Sequence, residues 1–417
     1  MAPRFAALHS RAYRRYFAWT LLSMTADNIE HVISYWVIYQ TFHSPALGGF
    51  AVISHWVPFL LFSVWAGALA DRRDCRTLIQ VAQALYMLAS AAWGLLFLAG
   101  ALETWHAVVI LLVHGAAGVV QAPSSQLIIH DMVEPADLPS AIRLLASSRY
   151  LSILLGPAIG GGMMLLLGPA WGLLVNVLVY VPLTVFLTRV PFTGHLHRRD
   201  AVPRTARLGI GDTASVLDAV RADRRILTML LLGGATSFFV GNAFQAQMPE
   251  YAAALGTDEA GAWYSILLAA NAAGAVLGAV LLESAHVLRP GARTAILCAG
   301  AWAVTIGVFP WARTYTLAVT LLVLAGVFNI AFTSMAQTLV QLLAPARLRG
   351  TIVGWFNTAM LGLRAGSGVT VGVLGAVIDV DWSLSLSALA VVVTAVMLLA
   401  VEVRNGASPA TGRGGVP

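Results

Sequence analysis

The stretch TADNIEHVIS carries the side chains best suited to proton or ligand chemistry. It places two carboxylates (Asp27 and Glu30), a carboxamide (Asn28) and an imidazole (His31) inside an otherwise apolar segment. At 100° per residue these side chains share one arc of about 160°, so the helix has a single polar face. Because such groups exchange protons and bind ligands when held away from lipid, this face predicts a functional site.

The composition predicts the solvent around that helix. Of the 417 residues, 59% are hydrophobic and 11% are charged, whereas about a quarter of a soluble domain is charged. Lipid must therefore cover most of the surface. The 25 basic residues, all arginine, give a net charge of +6 but lie in short loops between apolar runs. That distribution excludes a nucleic-acid partner and identifies the lipid bilayer as one.

Two cysteines, Cys75 and Cys298, lie far apart in the sequence. Such a pair predicts neither a disulfide framework nor a metal site. We expect no metal and no cofactor.

Twelve apolar segments are long enough to cross about 30 Å of hydrocarbon at 1.5 Å per residue. They are 17–42, 48–70, 77–99, 107–130, 140–166, 170–188, 226–254, 260–286, 293–312, 315–343, 351–378 and 383–402. We predict an all-α membrane protein with six helices in 1–188, a cytoplasmic linker in 189–225, six helices in 226–402 and a cytoplasmic tail in 403–417. A stretch within the linker, TASVLDAVRAD, has helical periodicity.

Arginines set the orientation. If both termini are cytoplasmic, the loops on that side collect nearly all of the loop arginines, including Arg289 and Arg347, and the opposite side has only Arg313. An excess of arginine in short loops is typical of the cytoplasmic side.

The two halves echo each other. A shift of 212 residues superposes Gly49 on Gly261, Asp71 on Glu283, Gly156 on Gly368 and Gly160 on Gly372. The Gly-x-x-x-Gly pairs predict close helix packing, with Pro157 adding a bend. These shared landmarks favour an internal duplication.

After the second predicted span the sequence reads GALADRRDCRTLI, 67–79. We expect Gly67 to allow close helix approach and Asp71 to face the N-terminus of a neighbouring span. Arg72 and Arg76 can pair with Asp74 or with Asp131, Glu134 and Asp137. Such contacts would latch one access state. The alternative is that these charges only set orientation and cap a helix.

This loop, the layout of six plus six spans and the stretch SILLGPAIGGG (152–162) resemble the major facilitator superfamily. The form of the loop, with Asp27 in the first span, is most similar to the bacterial drug and siderophore exporters, including macrolide efflux and enterobactin export proteins. The resemblance implies a monomeric carrier in the bacterial cytoplasmic membrane, which exports a small amphipathic molecule in exchange for protons. Cys75 and the pair Glu30-His31 depart from the family pattern.

Asp27 lies about 15 Å into its span, near the bilayer centre. A charge there must be paired, protonated or in contact with water. We predict that Asp27, Glu30 and His31 bind protons or substrate, tuned by Arg149 and Arg364. The alternative is a static bridge, Asp27–Arg149 or Glu30–Arg364, that only holds helices in register.

Other polar and aromatic residues at membrane depth are candidates to line the same cavity. They are Asn28, Tyr35, His55, Gln121, Gln126, Asn242, Gln245, Asn271, Asn329 and Asn357, and further, His114, Ser124, Ser125, Gln247, Gln337, Trp56 and Phe356.

Three other functions compete with export. Import uses the same alternating-access machinery in reverse. His195 and Asp200 have the H-x-x-x-x-D spacing of some acyltransferases, but no companion motif accompanies them. A receptor that transports nothing is the third, and buried charges are hard to explain without transport.

Overall fold

A computed structural model describes residues 5–196, 217–218, 220–256, 261–285, 291–345 and 348–407. Within these ranges every regular element is a helix. An all-helical membrane protein is therefore confirmed. The linker centre (197–216), Arg289, Arg347, Asp200 and the tail from 408 lie outside the described residues.

The first half contains six helices. They are α1 Arg11–Phe42, α2 Pro45–Arg72, α3 Cys75–Leu98, α4 Thr104–Leu127, and α5 (138–167) and α6 (169–188), which form one continuous element, Leu138–Thr188, broken at Gly168. Gly168 has a φ of 78°, which a glycine adopts without strain. Local capping sets the helix starts, because Ser10, Ser44 and Asp74 each accept a hydrogen bond from the first turn.

The second half repeats this order with more interruptions. Its helices are α7 Arg224–Phe239, α8 Ala262–Ala285, α9 Ala292–Val308, α10 Tyr315–Leu343, α11 (349–378) and α12 Val380–Ala407. Within α11, two π-helical stretches occupy Thr358–Gly362 and Gly368–Val373.

The prediction of one continuous helix over 226–254 is wrong. The helix α7 ends at Phe239, and Gly241 adopts a φ of 47°. Two short helices, Ala243–Ala246 and Met248–Ala254, complete the segment. A left-handed glycine ends the helix at a point where hydropathy alone does not change.

Ten described segments are long and apolar enough to cross a membrane. One of them, Leu151–Thr188, contains the break at Gly168 and supplies two crossings. The helix α1 is 32 residues long but is not among the ten, because its polar face lowers its hydropathy. Adding α1 and dividing that segment gives twelve helices of membrane length in the described part of the chain.

Helix starts recur at nearly constant spacing between the halves. Three pairs, Arg11 and Arg224, Thr104 and Tyr315, and Leu138 and Arg349, begin helices 213, 211 and 211 residues apart. The offset found in the sequence therefore also relates the helices.

The halves meet at the face of the bundle opposite the arginine-rich loops. The rings of Trp36 and Tyr264 stack at 5.8 Å, and the Tyr264 hydroxyl donates to the Val32 carbonyl at 2.9 Å. Nearby, the Gln247 side chain donates to the Pro45 carbonyl at 2.8 Å. This arginine-poor face is therefore closed.

Three glycines bring α2 and α11 into backbone contact at the same face. A Cβ at Gly49 would lie 2.7 Å from the Cα of Gly372 and would also contact the Gly368 carbonyl. Real Cβ atoms do not approach that closely. The close approach therefore requires glycine on both helices.

The connection between the halves is anchored to the first half. The buried Asp131 carboxylate accepts hydrogen bonds from the backbone amides of Thr193, Gly194 and Leu196, at 3.0, 2.6 and 3.1 Å. The Arg76 guanidinium donates to the Val190 carbonyl. The carboxylate thus satisfies a turn of backbone that would otherwise lack partners.

Candidate functional site

One imidazole joins the two acids of α1. The His114 side chain, from α4, places Nδ1 2.8 Å from Glu30 Oε1 and Nε2 2.9 Å from Asp27 Oδ1. His114 is buried, with 4% of its surface exposed. The two carboxylates lie almost one helical turn apart, so a ring entering from the neighbouring helix can contact both.

A hydrogen-bond network supports Glu30. Its second carboxylate oxygen accepts from the Ser90 hydroxyl of α3 at 2.7 Å. Asn176, on α6, donates to Ser90 at 3.1 Å and to the Ala26 carbonyl at 2.9 Å. A buried carboxylate is tolerated only with such partners. Four helices thus fix the position of one acid.

Two further histidines complete the cluster. The ring of His31 lies 5.0 Å from that of His55, on α2, and 4.8 Å from that of His114. The Asp27 and His31 side chains are 27% and 23% exposed, whereas the Glu30 side chain is 3% exposed. The cluster therefore has one accessible edge and one buried edge.

The predicted pairing of the acids with arginine is wrong. In the described part of the chain, Glu30 bonds to Ser90 and His114, and Asp27 contacts His31 and His114. Sequence depth alone cannot show that α4 brings an imidazole to the same level.

Both arginines lie against one aromatic ring instead. Arg149 of α5 and Arg364 of α11 place their guanidinium carbons 5.9 and 5.0 Å from the centroid of the Trp56 ring. The Trp56 indole N–H donates to Asn242 Oδ1 across the halves at 3.1 Å. Arg149 is exposed and Arg364 half-buried. Two cations and an indole thus form a patch to which both halves contribute, next to His55, whose ring is 4.8 Å from Trp56.

The other predicted lining residues occupy different environments. Tyr35 is buried with its ring 5.7 Å from that of His31, and Asn28 donates to Ser152 on α5 at 3.3 Å. Gln121 accepts from Gln83 at 2.7 Å in a buried chain. The rest comprise Asn271, which donates to the Leu322 carbonyl, half-buried Gln245 and Asn329, and exposed Gln126 and Asn357.

The loop between α2 and α3 contains an ion pair but no close approach at Gly67. A Cβ at Gly67 would meet nothing within 4 Å, so the predicted packing role is wrong in this state. Asp71 and Arg72 are exposed at the end of α2. Arg76 pairs with Asp74 at 2.7 Å, one of the options that the sequence left open.

The charge state of Asp74 follows from that pair. Partial burial alone would raise the pKa of Asp74, but hydrogen bonds from the Arg76 side chain and backbone outweigh it and lower the pKa. Asp74 therefore stays ionised and caps α3.

The two Gly-x-x-x-Gly pairs pack differently. On α5, Gly156 contacts Asn28 and Gly160 contacts Val32, both on α1 of the same half. On α11, Gly368 and Gly372 contact α2 of the other half. Pro157 lies inside α5 without ending it.

His195 does not form a predicted acyltransferase pair within the described residues. Its ring nitrogen lies 3.0 Å from the Arg73 carbonyl, and Asp200 lies outside the described part of the chain.

The sequence underrated His114 and Trp56, which join the most groups in the site. Both were only candidates to line a cavity, because an isolated histidine or tryptophan in a span carries no partner information. Their helical depth, matched to that of Asp27, is the one signal that could have ranked them higher.

Comparisons with known proteins agree with this fold. The transmembrane secretion effector family, a branch of the major facilitator superfamily, matches residues 2–412. The Staphyloferrin A transporter of Staphylococcus aureus is 24% identical over 184 residues, which are 42% of this chain and 46% of that protein. The matched region thus spans about half the length of that relative.

Solved transporters share the architecture. The nucleoside transporter NupG superposes with a TM-score of 0.73 at 13% identity, covering 94% of this chain and 99% of that one. A bacterial homolog of the human lysosomal transporter Spinster, in an inward-facing and unoccupied conformation, gives 0.71 at 13% identity, covering 96% and 99%. With a family match over almost the whole length, the chain belongs to the transmembrane secretion effector family and is a major facilitator superfamily transporter.

Proposed function

We propose that this transporter exports a small amphipathic organic molecule from the bacterial cytoplasm in exchange for protons, acting as a monomer by alternating access. The observation that carries the proposal is the bridge of His114 between Asp27 and Glu30, with Asp27 and His31 partly accessible. Ionisable groups at membrane depth are retained where they serve a transport path.

The state of the bundle supports loading from the arginine-rich side. Contacts at Trp36, Tyr264 and Gly49 close the arginine-poor face, while Arg149 is exposed deeper in the bundle. The positive-inside rule assigns the arginine-rich face to the cytoplasm and places both termini there. An exporter binds its substrate in this state.

The arginine patch favours a substrate with an anionic group beside an apolar part. Guanidinium groups bind carboxylates through paired hydrogen bonds, and the Trp56 ring offers apolar area. The patch draws on both halves, so a ligand bound there senses their relative movement. Staphyloferrin A, which gives the S. aureus relative its name, is a first compound to test.

The acid pair supports proton coupling. Asp27, His114 and Glu30 lie in hydrogen-bond range in one row from the accessible edge to the buried edge. A proton that enters at Asp27 can reach Glu30 through one imidazole. Substrate and proton then act on the same two helices, α1 and α4.

The test uses Asp27→Asn in proteoliposomes with an imposed pH gradient. We expect the variant to insert and fold normally but to lose gradient-driven flux, because the amide cannot carry the proton. Asp218→Asn, at an exposed carboxylate in the connection, is the control and keeps wild-type flux. Wild-type flux in Asp27→Asn would remove Asp27 from the mechanism, and accumulation that rises with the protein in cells would show import.

A further inference from the structure

Three histidines from three helices converge beside Asp27. His31, His55 and His114 are 24 and 59 residues apart in the sequence, yet their ring centroids lie 4.8 to 5.7 Å apart. One ring nitrogen from each lies within 4.8 Å of the others. Because the three occupy separate helices, no spacing motif reveals them, and the sequence led us to expect no metal site.

Three polar atoms in the cluster lack hydrogen bonds. They are Asp27 Oδ1, His55 Nδ1 and His114 Nε2, all buried and without a hydrogen-bond partner among the described residues. Buried polar atoms are nearly always hydrogen-bonded. Three that share one spot therefore point to a missing common partner.

Neighbouring groups already orient the rings as metal ligands. His31 Nδ1 lies 2.8 Å from the Asp27 carbonyl oxygen, so its Nδ1–H can donate there and leave Nε2 unprotonated. His114 Nδ1 can likewise donate to Glu30 Oε1. In metal sites the second imidazole nitrogen is held by a carbonyl or carboxylate in this way.

That tautomer of His114 turns an unprotonated Nε2 toward Asp27 Oδ1, 2.9 Å away. Two lone-pair acceptors repel each other at this distance unless a cation lies against both. An imidazole nitrogen and a carboxylate oxygen that both contact one cation stand at about this separation.

We propose that His31, His55, His114 and Asp27 bind a divalent transition-metal ion of the zinc class. Three imidazoles and one carboxylate suit Zn²⁺, Co²⁺ or Ni²⁺, whereas Mg²⁺ and Ca²⁺ require oxygen ligands. Bonds of about 2.0–2.1 Å place tetrahedral ligands about 3.4 Å apart, so the rings rotate inward on binding. Glu30 and Ser90 orient His114 and do not contact the ion.

The ion reaches the site through the chamber of the proposed carrier, and in this access route the inference rests on the proposed function. The exposed edges of Asp27 and His31 provide the entrance. Binding is measured on purified protein without any transport assay, so the two proposals fail separately. Zinc binding without export would remove only the proposed function, and export without zinc binding only the metal site.

The test is a Zn²⁺ titration of the chelator-treated, tag-free full-length chain, followed by calorimetry and by metal analysis after gel filtration. We expect one ion per chain and no binding of Mg²⁺. His55→Ala is the decisive variant, because His55 Nδ1 has no partner to lose, and we expect affinity to fall at least about 100-fold. Ser90→Ala weakens binding about 10-fold through His114.

The matched control is His130→Ala, at an exposed histidine beyond the end of α4, which keeps wild-type affinity. X-ray absorption of the zinc complex should show imidazole scattering from three rings, and the Co²⁺ complex should show tetrahedral visible bands. No binding by the wild-type chain, or equal affinity in the wild type and His55→Ala, overturns the proposal.

Discussion

The two halves share their helix order but not their chemistry. The first half holds the buried cluster of Asp27, Glu30, His31, His55 and His114. The positions 212 residues further on are Phe239, Asn242, Ala243, Leu267 and Gly326. One frame thus occurs twice, with ionisable groups at these positions in only one copy.

This difference separates the site from the scaffold. The scaffold needs helix length, caps and small residues at crossings, and both halves retain these. The ionisable cluster needs several polar partners for each buried charge, and in the first half Ser90 and Asn176 provide them around Glu30. The second half contributes Arg364 and Asn242 at the contact between the halves. The following substitutions test this division.

The largest expected effect separates Glu30 from its equivalent Asn242. Glu30→Gln removes the charge that pairs with buried His114, and breaking a buried pair costs about 3–5 kcal/mol. We expect transport to fall at least about 100-fold and the melting temperature to drop. Asn242→Ala removes one hydrogen bond to Trp56, worth about 0.5–1.5 kcal/mol, and lowers flux only a few-fold. Flux in proteoliposomes and thermal unfolding measure both, and equal losses would contradict the division.

A second test compares the glycine contacts. Gly49→Val places a side chain against the Gly368 and Gly372 backbones across the halves, so the arginine-poor face cannot close. We expect flux to fall at least about 10-fold. Gly160→Ala packs within the first half, 3.3 Å from Val32, and leaves most flux.

Accessibility of that face gives the direct measurement. A thiol reagent added from the arginine-poor side should label Val52→Cys, buried in α2, faster in the Gly49→Val background. The native cysteines, Cys75 and Cys298, are buried and provide a low background. Unchanged labelling would show that this glycine contact does not control closure.

A third test concerns the patch shared by the halves. Arg149→Gln and Arg364→Gln each remove one guanidinium beside Trp56. We expect each to raise the KM for an anionic substrate about 10-fold, or about 1.4 kcal/mol, with little change for a neutral one. An effect confined to one arginine would place the anion site within a single half.

The smallest effect compares two Asp-x-Arg caps. Asp74 pairs with Arg76 before α3, and Asp223 pairs with Arg225 before α7. The Arg225 side-chain hydrogen bond lowers the pKa of Asp223, as the Arg76 contacts lower that of Asp74. Because both pairs are partly exposed, Asp→Asn at either position should cost less than about 1 kcal/mol.

The pH dependence of that cost follows from its sign. A carboxylate with a lowered folded pKa stabilises the fold above its unfolded pKa of about 3.9. The stabilisation disappears as pH falls through the folded pKa. Wild type and Asp74→Asn should therefore differ in melting temperature at pH 7 and converge in strong acid. A difference that persists there would refute the pairing as its cause.

The sequence predicted the helices well because hydrocarbon thickness imposes length and composition on every span. It missed the end of α7 at Phe239, since a left-handed Gly241 leaves no mark in hydropathy. It found Asp27 and Glu30 through their depth, but assigned them arginine partners by charge alone. The actual partner, His114, depends on how α4 packs against α1, and that packing has no local signal in the sequence.

The anchoring of the connection by Asp131 has a mechanical consequence. Residues 189–196 belong to the first half as firmly as a helix does, since one carboxylate holds three of their amides. The tether that must accommodate relative rotation of the halves therefore starts after Leu196 and is shorter than the polar stretch 189–225. A crosslink or an inserted domain before Leu196 would travel with the first half, whereas one placed later would span the moving joint.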